Sequence, residues 1–245
     1  MSDAPSKPAA LIVGAGDATG GAIARRFARG GLAVCAVRRN AHPLQVLVDA
    51  IRADGGEAHG YAVDARREDA VVEMVDGIER DVGPLEVMVF NVGVNARASL
   101  LEQDAEQYAE LWRTGCFSAM LCAREAARRM VPRGRGTMIF TGATASLRGS
   151  ATFAAFAGAK HALRALAQSA ARELGPRGIH VAHVVVDARI DTAFTRQRVP
   201  HFDALKAEDG VVDPRHIADA YWQLHQQPRD AWTHELDLRP WMERW

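Results

Sequence analysis

The sequence predicts one α/β domain built on a doubly wound parallel sheet of seven strands, with helices on both faces. Three features carry this expectation. Short apolar runs alternate with helix-like stretches, glycine or proline follows the helix ends, and a glycine-rich turn joins the first run to the first helix. The runs fall at 9–13, 32–37, 58–63, 85–91, 136–141 and 179–186, and the helical patterns between them at 20–29, 43–53, 66–82, 105–131 and 152–174. Gly30-Gly31 and Gly55-Gly56 close two of these helices by accepting a left-handed terminal conformation, and Gly175-Pro176 closes another because proline cannot continue it. A further helix is expected at 214–226 and a seventh strand near 232–238, so the C-terminal stretch extends the domain. Residues 1–8 read as a flexible tail and 9–245 as a single domain, without repeats or low-complexity linkers.

Length and charge narrow the class. A chain of 245 residues suits one large α/β domain, and its 30 basic and 30 acidic residues give no field favouring nucleic acid or an anionic membrane. The first ten residues are polar and contain proline, unlike a signal peptide, and no segment approaches the roughly twenty apolar residues of a membrane span. A soluble cytoplasmic protein is the expectation. Cys35, Cys116 and Cys122 are odd in number, lie in apolar stretches and lack metal-ligand spacing, so reduced packing thiols are expected rather than disulfides or a metal site.

The glycine turn runs Val13-Gly14-Ala15-Gly16-Asp17-Ala18-Thr19-Gly20-Gly21. Glycine there lets the chain turn tightly and brings backbone N–H groups toward a pyrophosphate at the positive end of the following helix. Arg38 and Arg39 end the second strand, where a dinucleotide site reads the adenosine ribose. A carboxylate at that point favours a free 2′-OH, whereas arginine clamps a 2′-phosphate. The arginines therefore favour NADP(H) over NAD(H), while Asp17 stands ready to repel that phosphate or to pair with Arg38.

The segment Phe156-Ala-Gly-Ala-Lys160 resembles the Tyr-x-x-x-Lys signature of the short-chain dehydrogenase/reductase (SDR) family, with phenylalanine in place of tyrosine. The resemblance runs from about residue 9 to 238 and implies a Rossmann fold with strand order 3-2-1-4-5-6-7. The glycine turn resembles the family's Thr-Gly-x-x-x-Gly-x-Gly loop, with Gly14 and Gly20 at the outer glycines and Ala18 at the middle one. Val63-Asp64 resembles the adenine-binding aspartate segment, and Phe90-Asn91-Val92-Gly93 the Asn-Asn-Ala-Gly segment, which steadies the sheet and borders the ribose. By this resemblance Gly14, Gly16, Asp17, Ala18, Thr19, Gly20, Arg38, Arg39, Asp64, Asn91, Gly93, Lys160 and Thr192 are the expected cofactor contacts, with Thr192 touching the carboxamide.

Only one member of the family's catalytic tetrad survives the same comparison. The serine position is Ala143, thirteen residues before Phe156, and the asparagine position aligns with Trp112 in Trp112-Arg-Thr-Gly115. The Pro-Gly that normally follows the sixth strand is absent from Asp187-Ala188-Arg189-Ile190-Asp191-Thr192. Lys160 remains, and residues four apart on a helix share a face, so Phe156 and Lys160 lie side by side. In the family the tyrosine moves the proton, and the lysine lowers its pKa and holds the nicotinamide ribose. A phenyl ring cannot move a proton.

The expectation is an NAD(P)(H)-binding SDR-like protein, nominally an oxidoreductase of unknown small-molecule substrate, with substrate-assisted or otherwise supplied proton transfer. The alternatives are a non-redox dinucleotide-binding protein and a lyase or isomerase on the same scaffold. His161, one residue beyond Lys160, turns about 100° away and reads as a packing or surface group. Asn95, Arg97, Thr144, Ser146 and Arg148 lie on loops at the substrate edge, His183 and Asp187 near the sixth strand, and the loop at 189–209 has no recognised pattern. Trp222, Trp232, Trp241 and Trp245 crowd the last quarter. The family resemblance implies a homodimer or homotetramer, and the tryptophans place this tail on a partner or over the substrate mouth, or pack Trp222 and Trp232 in the core.

Overall fold

The computed structural model describes residues 7–93 and 96–243. Seven strands, β1 (Ala9–Val13), β2 (Ala33–Val37), β3 (Ala58–Tyr61), β4 (Leu85–Phe90), β5 (Gly136–Ala143), β6 (Ile179–Val186) and β7 (Glu235–Leu238), form one sheet in the order 3-2-1-4-5-6-7. Every pairing is parallel. Val13 lies beside both Val37 and Phe90, so β1, β2 and β4 finish flush at the carboxyl edge. Every residue of β1, β2 and β6 is buried, which suits central strands covered on both faces.

The helices sort by their apolar stripes. On one face α1 (Thr19–Arg29) and α2 (Ala41–Ala53) bury Ile23, Phe27, Leu44 and Ile51, joined there by Tyr221 of α9 (Pro214–His225). On the other, α3 (Glu68–Asp81), α5 (Ser118–Met130) and α6 (Ala154–Leu174) bury Val71, Ile78, Leu121, Met130 and Leu163. Each large apolar side chain so buried contributes about 1.5–3 kcal/mol relative to exposure.

The single helix expected at 105–131 is interrupted. It comprises α4 (Ala105–Trp112), a π-helical turn at Arg113–Phe117 and then α5. The turn contains Gly115, a poor helix former, and its wider spacing shifts the inward face of the chain. As a result α4 buries no residue, whereas α5 buries eight.

Between β6 and α9 the chain is less irregular than its sequence suggests. It forms α7 (Ala193–Arg198) and α8 (Phe202–Ala207), and Ile190 bridges to Val212. Two tryptophans pack within the chain: Trp222 meets Phe27 edge-on at 5.4 Å and Trp232 stacks on His180 at 5.0 Å. Trp241 is 79% exposed, although its Nε1 donates to the Glu208 carbonyl at 3.1 Å. Trp245 and residues 1–6 of the expected tail lie outside the described residues. The last two tail positions are tied down: Pro8 accepts a hydrogen bond from Ala33 N at 3.0 Å, and Lys7 pairs with Glu57 at 3.4 Å.

Candidate active site

The carboxyl ends of the central strands open into a cleft of about 720 Å³ at the point where the strand order reverses across β1. Its near end is the turn between β1 and α1. Gly14 has φ +87°, and a Cβ there would lie 2.6 Å from the Asn91 carbonyl oxygen; at Gly20 it would lie 2.1 Å from the Gly14 oxygen. These two positions need glycine for the loop to close on β4 and for α1 to begin so near the sheet. Gly16 faces open space. Asp17, Ala18, Thr19, Asn91 and Gly93 share the same wall. Asn91 also donates from Nδ2 to the Gly14 oxygen at 3.2 Å, tying β4 to the loop.

A smaller pocket of about 130 Å³ adjoins Gly14 and holds Arg38, Arg39 and Asp64. Arg38 donates from Nη1 to Asp17 Oδ1 at 2.7 Å, the pairing that the sequence left open. Arg39 is exposed and makes no side-chain hydrogen bond among the described residues. Asp64 is gripped by Arg66, at 2.8 Å from Nε and 2.6 Å from Nη2, and that guanidinium holds its carboxyl below the usual range. The adenine-side aspartate is therefore already engaged.

At the far end Phe156 and Lys160 sit one turn apart on α6, and both reach the cleft with Ala143 opposite them at the end of β5. Lys160 is only 4% exposed and donates from Nζ to the Thr141 carbonyl at 2.8 Å. Burial, with no compensating anion, lowers its ammonium from 10.5 to about 8. The titratable side chains on the cleft wall are Asp17, Arg148 and Lys160. Asp17 is at the loop end, and an arginine does not give up its proton in a protein. Phe153, Val186, Ala188 and Ile190 complete an apolar floor. Phe153 precedes Phe156 by three residues, the spacing of one helix face that could have revealed it.

Trp112, the residue at the asparagine position, and Thr192, an expected contact, are not on this wall. Trp112 is 41% exposed, stacks on Phe117 at 6.1 Å and is not on the cleft wall. The π-helical turn begins immediately after it, and the inward face passes to Thr114 and Ser118 of the smaller pocket. Thr192 caps α7, accepting from Thr195 N at 3.0 Å, and faces a neighbouring cleft of about 790 Å³ that Asp17 and Ala18 also border. A short polar residue before a helix start is the signal for such a cap.

Other singled-out residues divide similarly. His161 is exposed and bonds the Ala157 carbonyl at 2.9 Å. Ser146, expected on a loop at the substrate edge, is 0% exposed and accepts from Ala143 N at 3.2 Å. Thr144 lines the cleft and donates to the buried Asp187. Arg97 lies over the Phe153 ring at 4.8 Å, and Asn95 lies outside the described residues. His183 is buried against Glu235, at 3.1 Å from Nδ1. The cysteines are unbridged and buried, and no cluster of metal-ligating side chains occurs among the described residues.

A glycine turn at the head of a parallel α/β sheet, opening on an arginine-ended second strand and a buried lysine, defines a dinucleotide-binding α/β architecture. The chain belongs to the short chain dehydrogenase family, whose model matches residues 8–201. It is 30% identical over 172 residues to the gluconate 5-dehydrogenase of Gluconobacter oxydans, covering 70% of this chain and 67% of that one. A short-chain dehydrogenase structure from Rhodopseudomonas palustris is 42% identical, with a TM-score of 0.83 over 97% of this chain and 100% of that one. A metagenomic short-chain oxidoreductase solved in complex with NADP is 26% identical, with a TM-score of 0.83 over 96% of this chain and 98% of that one. No helix among the described residues is long and apolar enough to cross a membrane.

Proposed function

We propose that the chain binds a nicotinamide dinucleotide along this cleft, NADP(H) in preference to NAD(H), and moves hydride to or from an apolar carbonyl or alcohol while Lys160 exchanges the proton. The observation that carries this reading is Lys160: on the cleft wall it is the side chain whose proton is exchangeable near neutral pH. The cleft fits the group. Side chains at positions 14 and 20 would collide with backbone, Gly16 opens toward the space, and the start of α1 offers unpaired N–H groups to a pyrophosphate. Arg38 and Arg39 would hold the adenosine end and Lys160 the nicotinamide end. A bound nicotinamide supplies or accepts hydride. Phe153, Phe156 and Ile190 exclude water from the far end, while the Thr141 carbonyl fixes the Lys160 ammonium.

Loss of hydroxyls at 156 and 143 favours a second reading, a protein that holds the dinucleotide without redox turnover. Fluorescence titration with NADPH and NADH, followed by a panel of apolar carbonyls and alcohols, separates the two. Micromolar binding with slow hydride transfer is expected. Binding without transfer selects the non-redox reading, absence of binding sinks both, and turnover without a change in nicotinamide absorbance selects a lyase or isomerase.

The Arg38–Asp17 pair sets a further expectation. Asp17→Asn frees Arg38 and removes a nearby negative charge, so NADPH affinity is expected to rise by about twofold to fivefold, the scale of an exposed ion pair. NADH affinity stays near its starting value. Competitive titration of the two dinucleotides checks it, and an equal gain for both would assign the arginines no part in phosphate recognition.

The assembly and compartment follow the same reading. A groove of about 460 Å³ between α5 and α6, lined by Met120, Ala123, Ala127, Leu166 and Ala170, is the surface through which a homodimer or homotetramer would form. Sedimentation should show more than one chain per particle, and Ala127→Arg should give monomers. Three buried, unbridged thiols fit a reducing cytoplasm.

A further inference from the structure

The far end of the cleft collects positive charge that the fold leaves unanswered. Arg148, on the loop between β5 and α6, lines the cleft, is exposed and makes no side-chain hydrogen bond or ion pair among the described residues. Arg97, on the loop after β4, lies over the Phe153 ring at 4.8 Å and pairs with no carboxylate among the described residues. The carboxylates of the loop after β6, which supplies Ala188 and Ile190 to the wall, are already occupied. Asp187 accepts from Thr144 and faces Arg239 at 3.9 Å, while Asp191 is held at 2.8 Å by both Arg196 and Lys206. At the opposite end Asp17 is taken by Arg38. In a chain whose 30 basic and 30 acidic residues balance, the Lys160 end of the cleft is thus locally positive.

The backbone holds this corner in place. Ala98 N donates to the Thr152 carbonyl at 3.0 Å, which ties the loop of Arg97 to the loop that begins at Arg148. Thr152 has φ +67°, a left-handed conformation that a β-branched residue rarely adopts and that persists only where its surroundings enforce it. Next in the chain, Phe153 caps α6 and sets its ring 6.3 Å from that of Phe156. One wall therefore carries a guanidinium, an apolar strip of two rings, and Lys160 one turn beyond Phe156. A guanidinium meets a carboxylate through two parallel N–H bonds, a match that a solvated arginine does not otherwise find here. An uncharged ligand covering the same wall would strip water from Arg148 and return nothing for it.

We propose that Arg148 selects substrates that carry a carboxylate at one end of an apolar body and the reacting carbonyl or alcohol at the other. The proposal rests on the oxidoreductase reading and narrows its substrate. Phe153 and Phe156 hold the apolar body, Lys160 faces the reacting oxygen, and Arg97 adds positive potential at the same mouth. The carboxylate makes and breaks no bond: in reduction the hydride joins the carbonyl carbon and the proton joins its oxygen. A single open fork suits a planar monoanion. A phosphate group, with three oxygens and up to two charges, calls for a second set of donors, and Arg97 is engaged with the Phe153 ring.

Steady-state reduction of acetophenone, para-acetylbenzoate and para-acetylphenyl phosphate by NADPH tests this in wild type, Arg148→Gln and Arg148→Lys. Calorimetric binding of the same three compounds to the protein loaded with NADP+ gives a readout independent of turnover. Wild type is expected to favour the benzoate over acetophenone by about tenfold or more in KM, the lower range for a hydrogen bond to a charged group. That preference should shrink as salt is raised. Arg148→Gln should lose most of it, and Arg148→Lys, which keeps the charge without the fork, should retain part. Equal KM values for acid and ketone in wild type, or a preference that survives Arg148→Gln, overturn the proposal. So does a phosphate ester favoured over the benzoate, or an Arg148→Gln variant that weakens NADPH alone and thereby assigns the arginine to the dinucleotide. Tighter binding of the benzoate that Arg148→Gln abolishes, without hydride transfer to any ketone, keeps the anion site and removes the oxidoreductase reading. Hydride transfer to acid and ketone alike, with equal binding, does the reverse.

Discussion

Phe156→Tyr combined with Ala143→Ser is expected to raise carbonyl reduction by about 10²–10⁴-fold, the range of a positioned general acid with an oxyanion donor. Both residues already line the cleft, with Lys160 one turn beyond residue 156, so the new hydroxyls enter a frame that holds the backbone in place. The buried ammonium, at about 8, stabilises a nearby phenolate and lowers the pKa of the introduced tyrosine. Each single variant should gain much less than the pair, because such groups act as a unit. Steady-state oxidation of NADPH with a simple ketone measures the gain. A double variant that binds NADPH but remains inactive would place the defect elsewhere, in the Asp187–Thr192 loop or at the π-helical turn, rather than in the missing hydroxyls.

Lys160→Met should stabilise the fold at pH 7 and lose that advantage in alkali. The lysine titrates at about 8 when folded and at 10.5 in the reference state, because burial disfavours its charged form. Below pH 8 both states are protonated, and the folded state carries a desolvated ammonium that costs about 3 kcal/mol relative to the amine. Between pH 8 and 10.5 the unfolded chain binds more protons, so wild-type stability rises with pH. Methionine removes the cost and the slope, less about 1 kcal/mol for the hydrogen bond to Thr141. Urea midpoints should therefore favour the variant by about 2 kcal/mol at pH 7 and converge toward wild type by pH 10.5. A variant less stable at pH 7 would mean that the ammonium has an anionic partner when folded. Proton-dependent turnover should be lost in the same variant.

The strands were legible because the apolar runs and glycine stops recur with little ambiguity from 9–13 through 179–186, whereas their order came from the family resemblance. The neighbourhood of Phe156, Lys160 and Ala143 was legible for the same reason: a helical interval of four and the end of a strand are fixed by backbone geometry. Trp112 stands off the cleft wall just before a π-helical turn, which alters helical phase without a distinctive residue pattern beyond Gly115. The capping role of Thr192 was not legible, because a cap and a ligand contact call for the same hydroxyl. Ser146 and His183 depend on burial from separated segments, which no local period records. Whether Asp17 pairs with Arg38 stood open in sequence, because the two are 21 residues apart and only the folded chain brings them to 2.7 Å.

That Arg38–Asp17 pair has a consequence for how the proposed phosphate site would meet its ionic surroundings. On that reading a 2′-phosphate arriving at Arg38 would displace a carboxylate that is 82% exposed, so one charge contact would be exchanged for another. Salt screens the attraction to the incoming phosphate, and it also loosens the contact that must be broken. The two effects oppose, so recognition of a phosphate at this corner would be buffered against ionic strength in a way that a solitary arginine would not be.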